Sequence, residues 1–194
     1  HDTTTSTLTS LFYELGRHPE WQRRLRERCA GIDLAAEPGA DAPGATEELD
    51  WVTKETMRLH TPILYIPRRA LEPIEYLGFH IPAGIQVSVA PGHTHRMAEY
   101  WTEPDRFDPE RFSPARAEHK RVPYSYLPFG AGAHACLGQV FAELQVRLIQ
   151  VQVLREFEWT VPRGYEAPYQ QVPIQAPKDG LPIGLEAIRA AGGA

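Results

Sequence analysis

The sequence predicts a mainly α-helical fold with small, mostly antiparallel β-sheets, an α+β arrangement. Three observations predict it. Apolar residues recur at helical spacing in four stretches, at Leu8–Leu15, Trp21–Cys29, Leu49–Leu59 and Leu137–Val151. Between and after them lie short β-prone runs separated by Pro and Gly. The 18 prolines distributed over 194 residues favour turns and extended segments over long uninterrupted elements.

Each element has its own warrant. Leu8, Leu11, Phe12 and Leu15 form one helical face, with Gly16 as a C-cap. His18-Pro19 opens a second helix, with Pro at the first helical position. Trp21, Leu25 and Cys29 are its inner residues; Arg23, Arg24, Arg26 and Arg28 read as a solvated face, interrupted by Glu20 and Glu27. Residues 31–45, rich in Gly, Ala, Pro and Asp, read as a loop. Thr46 is placed to cap a third helix with Glu47 and Glu48 in its first turn, Leu49, Val52, Thr56 and Leu59 inside, and Pro62 beyond its end. Strands are expected at Ile63–Ile66, Ile74–Leu77 and Ile85–Val89, and another at Tyr124–Leu127. A fourth helix starts near Leu137, with Leu137, Val140, Phe141, Leu144, Leu148 and Val151 as its stripe. The tail has strand-like runs at Phe157–Val161, Val172–Ile174 and Leu181–Ile188, with a turn at Lys178-Asp179-Gly180.

Composition excludes several classes. With 20 basic and 25 acidic residues the net charge is −5, which argues against a nucleic-acid binder. Two cysteines, Cys29 and Cys136, allow neither a disulfide framework nor a four-thiolate metal site. A 42% hydrophobic content suits a real core, and no apolar run reaches the roughly 20 residues of a membrane helix. His1 opens the sequence in what already reads as helix, so a C-terminal portion of a longer chain is expected.

The chemistry concentrates around Cys136. It sits before a long helix and after a glycine-rich loop, Phe129-Gly-Ala-Gly-Ala-His-Ala-Cys136-Leu-Gly138. Free N–H groups and the positive helix end stabilise a thiolate at such a place. The glycines admit a flat ligand close to the backbone, and His134 is available to an anionic group. Two plainer readings stand beside this one. A cysteine at a helix start also serves as a small hydrophobe. Gly130-x-Gly132-x-x-Ala135 also fits a relaxed dinucleotide fingerprint, with Glu156 and Glu158 about 20 residues on. Pro128 and the lack of further strand–helix alternation weigh against it. His93-x-His95 suggests a metal site but has no third ligand at suitable spacing.

Three further patterns accompany the loop. Glu55-x-x-Arg58 places a carboxylate and a guanidinium on one helix face. Arg111, in Pro109-Glu110-Arg111-Phe112, could fork onto Glu55 to make a buried Arg–Glu–Arg network. Asp2-Thr3 pairs an acid with an alcohol, as a proton path needs; helix-cap residues look the same.

In this order and spacing the patterns closely resemble the cytochrome P-450 family of haem-thiolate monooxygenases. The family's F-x-x-G-x-x-x-C-x-G loop is met at Phe129, Gly132, Cys136 and Gly138, and its E-x-x-R helix at Glu55 and Arg58. The Pro-Glu-Arg-Phe element stands at 109–112 and the acid–alcohol pair of the long distal helix at Asp2-Thr3. The resemblance covers essentially the whole chain, 1–194, as the C-terminal haem-binding portion of one domain whose N-terminal half lies outside it.

The resemblance implies that Cys136 is the axial thiolate on the iron of haem b, with Phe129, Gly132 and Gly138 shaping the loop. His134 and Arg68 would pair with haem propionates, Arg69 being the weaker alternative for the latter. Glu55, Arg58 and Arg111 would be structural. Asp2 and Thr3 would relay protons in dioxygen activation. Ile63, Leu64, Tyr65, Ile66, Val172 and Ile174 would line the substrate cavity, together with Gln171.

The implied reaction is hydroxylation of a lipophilic small molecule: a sterol, terpenoid, retinoid-like or fatty compound. O2 is the co-substrate, and electrons come from NAD(P)H through a ferredoxin or flavin reductase. Lys120 and Arg121 are candidate contacts for that partner. The alternatives are a haem-thiolate peroxygenase or isomerase, or a truncated, non-enzymatic haem-binding fragment. The isolated chain is expected to be unstable and inactive. A bacterial protein of this kind would be cytoplasmic, and a membrane anchor would lie N-terminal to this sequence.

Overall fold

α1 (Asp2–Arg17) and α2 (Pro19–Cys29) form a tight corner at His18, whose N–H donates to Glu14 O at 3.0 Å and Leu15 O at 3.3 Å. The computed structural model describes residues 1–32 and 47–188. The cap assigned to Thr46 and most of the 31–45 loop fall outside them. Gly16 is not the C-cap. It lies inside the last turn, where a Cβ would sit 3.0 Å from Val161 Cγ1 and 3.3 Å from Trp159 Cδ1. Close packing, and not a left-handed turn, explains the residue.

The arginines of α2 are less solvated than expected. Arg23 is exposed, but Arg24 and Arg28 both bond Glu48 at 2.9–3.1 Å. Arg26 donates to Leu154 O at 3.0 Å and Phe157 O at 3.2 Å, closing the carboxyl end of another helix.

That helix is α5 (Gln139–Glu156), and α3 (Glu47–Leu59) packs beside it. Leu11, Leu15, Leu25, Cys29, Leu49, Val52, Leu59, Val151, Leu154 and Trp159 meet in one buried core. Burial raises the Cys29 thiol to about 11. Polar ties fix the helix pair: Gln150 Nε2 donates to Thr53 Oγ1 at 2.7 Å, and Arg147 forks onto Asp50. The stripe expected on α5 is mostly not its buried face. Leu137, Val140, Phe141 and Leu148 are exposed, whereas Val146, Gln150, Val151 and Leu154 are buried. The helix is apolar on both sides, so periodicity cannot say which side meets this core.

Among the described residues the strands form four two-stranded antiparallel sheets. β1 (Ile66–Arg69) pairs with β4 (Gln86–Val89), and β2 (Ile74–Tyr76) with β3 (Phe79–Ile81). Residues 63–65 precede the strand expected there, and β3 had no strong alternation to announce it. α4 (Pro91–Thr94) and 3₁₀ turns at Pro109–Phe112, Glu118–Lys120 and Gly132–His134 follow. Tyr124–Leu127 is turn and bend, not strand. β5 (Phe157–Thr160) pairs with β8 (Gly184–Ala187), while β6 (Tyr169–Gln170) pairs with β7 (Ala176–Pro177). Val172–Ile174 is the loop between those last two and not a strand.

Candidate functional site

α3 carries a buried ionic network beneath the Cys136 loop. Arg58 forks onto Glu55, Nε to Oε2 at 2.7 Å and Nη2 to Oε1 at 2.9 Å. Arg111 reaches the same Oε1 with Nε alone, at 3.1 Å, and its Nη1 turns to Glu118 Oε2 at 3.2 Å. The Arg–Glu–Arg triad therefore extends to Glu118, because the expected second fork goes there, and the half-buried Arg116 joins it at Glu118 Oε1, 2.8 Å away. Glu55, Arg58 and Arg111 are fully buried and Glu118 nearly so. Burial works to raise the Glu118 carboxyl, but hydrogen bonds from Arg116 and Thr102 N–H and the charge of Arg111 outweigh it and hold the group below its usual range.

The remaining guanidinium donors bind the segment 95–111. Arg58 Nη1 donates to His95 O at 2.8 Å and Pro104 O at 2.6 Å, and Arg111 Nη2 to Glu103 O at 2.8 Å. Asp108 N–H donates to Glu55 Oε1 at 2.8 Å. Glu118 could not be found from spacing: its partner is seven residues away in no regular element.

His95 couples this network to the cysteine loop. Leu127 N–H donates to its Nε2 at 2.8 Å. Burial first, and then the Arg58 charge, lower its pKa to about 3, so the ring is neutral. It is a buried acceptor. Among the described residues no group of three His, Cys, Asp or Glu is placed to hold a metal ion.

From Leu127 the chain turns through Gly130 (φ +70°) and Gly132 (φ +66°) to Cys136. Cys136 N–H donates to Phe129 O at 2.9 Å and Ala135 N–H to Gly132 O at 3.1 Å, so the loop is closed on itself. α5 starts at Gln139, too far after the glycines for a phosphate to meet both, and no strand precedes them. The dinucleotide reading fails on both points.

Cys136 is exposed and lines an open cleft of 410 Å³. Phe129, Gly130, His134 and Gly138 of the loop stand on its side, with Phe141, Ala142 and Val146 of α5. Thr3, Thr4 and Thr7 of α1 form another wall, and Pro62, Ile63 and Ile66 an edge. Arg68 lies two residues beyond Ile66 in β1, on the same face of the strand, while Arg69 faces away. The Arg68 side chain bonds only its neighbour Pro67 O, at 2.8 Å, and meets no carboxylate among the described residues.

Sequence reasoning thus placed Cys136, Phe129, His134, Gly138, Thr3, Ile63 and Ile66 at one cleft. Gly132 shapes the loop without lining it. Asp2 is 77% exposed in its side chain and pairs with His1 Nδ1 at 2.9 Å, outside the cleft wall. Leu64, Tyr65, Val172 and Ile174 also stand outside the wall; Tyr65 and Val172 are exposed. Thr7, Phe141 and Ala142 were missed. Thr7 follows Thr3 by one turn, a polar pair at helical spacing, and that was the available signal.

The cleft fits a haem. A flat metallo-macrocycle needs a soft ligand, apolar walls and cations for its carboxylates. Cys136 and the Phe129–Phe141–Val146 wall answer the first two needs, and His134 on the cleft with Arg68, two residues beyond Ile66 in β1, supplies donors for the third. A Cβ at Gly138 would make only an ordinary 3.9 Å contact with Cys136 Sγ and one at Gly132 would meet nothing, so Gly132 serves the turn through its φ of +66° and not by leaving space.

Fold and site together define a haem-thiolate type of protein. The cytochrome P450 family model matches residues 1–179, and the chain belongs to that family. A putative cytochrome P450 136 of Mycobacterium tuberculosis is 41% identical over 190 residues, 95% of this chain and 38% of the relative. Thromboxane-A synthase of Rattus norvegicus is 39% identical over 193 residues, 93% of this chain and 34% of the relative. The solved structure of retinoic acid-bound cyanobacterial CYP120A1 superposes with a TM-score of 0.88 at 32% identity, covering 97% of this chain and 43% of that one. The chain thus spans about two fifths of the length of such relatives. Among the described residues no helix is long and apolar enough to cross a membrane.

Proposed function

We propose that the protein to which this chain belongs is a haem-thiolate monooxygenase that inserts one atom of O2 into a lipophilic small molecule. The observation that carries this reading is the exposed Cys136 thiol in a cleft that the threonine row of α1 also lines. Bound haem b supplies the oxygen chemistry, its iron made electron-rich by the cysteine sulfur. Cys136 is the residue to hold the iron. Phe129, Phe141 and Val146 would cover the bound group with apolar surface, and Arg68 and His134 would be the donors for its carboxylates.

The chain's part in proton handling falls to α1. The Thr3 hydroxyl, both donor and acceptor, stands at the cleft. Asp2, the preceding residue, is open to solvent and is the acid of the pair; its carboxylate bonds His1 Nδ1 at 2.9 Å, so protons would pass between it and the Thr3 hydroxyl through water. This acid–alcohol pair favours a dioxygen route, with electrons from NAD(P)H through a ferredoxin or flavin reductase, over a peroxide-driven or rearranging one. Ile63, Ile66 and Pro62 at the edge suit an apolar substrate. The cyanobacterial relative is solved with retinoic acid bound, and a retinoid is the compound to try first.

The test uses the full-length protein. Reduced and treated with carbon monoxide, it is expected to show the thiolate-type absorbance, and Cys136→Ala to abolish it. Its absence in the parent would overturn the reading. Thr3→Ala is expected to lower product per NAD(P)H consumed by about tenfold or more, with the carbonyl spectrum unchanged.

A further inference from the structure

The cleft beside Cys136 is walled by apolar side chains, hydroxyls, amides and imidazoles, with one exception. Among the described residues that line it, Glu143 alone carries a carboxylate, and no Lys or Arg lines the cleft with it. Glu143 stands in the second turn of α5, the helix that continues from the cysteine loop. It is half-buried and forms no ion pair among the described residues. Its one side-chain hydrogen bond there comes from a neutral amide, Gln139 Nε2 to Oε1 at 3.0 Å. A carboxylate taken part-way out of water without a cation costs free energy.

The neighbouring guanidinium is engaged elsewhere. α3 and α5 leave a slot of 90 Å³ beside the cleft, and Thr53, Met57 and Glu143 line both spaces. Arg147, one helical turn beyond Glu143, forks onto Asp50 at 2.9 and 3.1 Å. Asp50 lines the slot but not the cleft, so the balanced pair stands back from the wall and the unbalanced charge stands on it. The field of Glu143 reaches beneath the cysteine loop. Burial first, then the charges of Glu55 and Glu143, push the Tyr126 phenol well above its usual range. Tyr126 adjoins Leu127, from which the chain turns to Cys136.

We infer that Glu143 holds down the reduction potential of the iron bound at Cys136, so that only a strongly reducing electron donor serves this site. The inference rests on the haem-thiolate reading above. Reduction brings one electron from the donor to the ferric iron; no bond forms or breaks, and the cleft gains one negative charge. A carboxylate on the wall opposes that gain by Coulomb repulsion, and apolar surroundings strengthen the effect.

The test is a reductive titration of the full-length, haem-loaded protein with dithionite and redox dyes, read by haem absorbance. Glu143→Gln keeps an acceptor for Gln139. It is expected to shift the one-electron equilibrium toward the reduced form about threefold or more, a rise of roughly 30 mV at 59 mV per tenfold. Glu143→Asp keeps the charge and should stay near the parent. Glu156→Gln is the matched control: the same helix, the same kind of bond from a glutamine one turn earlier, but exposed and away from the cleft. It should shift the equilibrium far less. Gln145→Glu adds a carboxylate to the cleft wall and should shift it toward the oxidised form. That variant decides the matter should Glu143→Gln fail to hold haem. An unchanged potential in Glu143→Gln, an equal shift in Glu156→Gln, or no shift toward the oxidised form in Gln145→Glu overturns the inference. A parent protein without the thiolate carbonyl spectrum overturns instead the haem-thiolate reading beneath it.

Discussion

Glu55→Gln isolates the buried network with almost no change in volume. In the native chain Glu55 Oε1 accepts from Arg58, Arg111 and Asp108 N–H, and Oε2 accepts from Arg58. An amide keeps one acceptor and turns an NH2 toward a guanidinium. Arg58 and Arg111, both fully buried, then share only the Glu118 carboxylate, which Arg116 also binds. Breaking a buried pair in this way costs about 3–5 kcal/mol, a large part of a total stability of about 5–15 kcal/mol. The assay is urea unfolding of the full-length, haem-loaded protein, followed by intrinsic fluorescence, with haem absorbance recorded in parallel. The expected result is a much lower midpoint at unchanged slope, with haem lost in the same transition. Arg106→Ala is the matched control. Its partner Glu103 and its own side chain are each about two-thirds exposed, and the change should cost less than about 1 kcal/mol. A Glu55→Gln loss as small as the control's would refute the reasoning.

Three other outcomes are expected. His95 titrates near pH 6.5 when unfolded but near 3 in the fold, so the unfolded state binds the extra proton between those values. Stability therefore falls with acidification across that window, by up to about 1.4 kcal/mol per pH unit. His95→Gln, which keeps an acceptor for Leu127 N–H, should flatten that limb in pH-dependent unfolding. Thiol titration of haem-free native protein should find Cys136 reactive and Cys29 silent until unfolding, since one is exposed and the other buried with a raised pKa; haem loading should protect Cys136. Gly132→Ala places a side chain at φ +66° with no clash, so the penalty is backbone strain alone, about 1–2 kcal/mol, read as faster haem loss with the helix content unchanged.

Much of the site was legible because its members lie close in sequence. Phe129 to Gly138 is one loop, and Glu55 to Arg58 is one turn of helix, so spacing alone brings them together. Glu118 and His95 were not legible in their roles. Each meets its partners through irregular backbone, where no period relates sequence distance to space. The arginines of α2 carry the same lesson: a run of charge reads as solvated until Glu48 and the end of α5 are seen beside it.

The sequence by itself determined the helices, the cysteine loop and the family, because local periodicity and short motifs depend only on neighbours along the chain. Only the tertiary structure decided which side of α5 is buried, since that helix carries apolar residues on more than one side and its partners α2 and α3 choose the face. It also decided that β6 and β7 pair around 171–175 and rest on α1, because strands this short take their place from side chains more than 150 residues away.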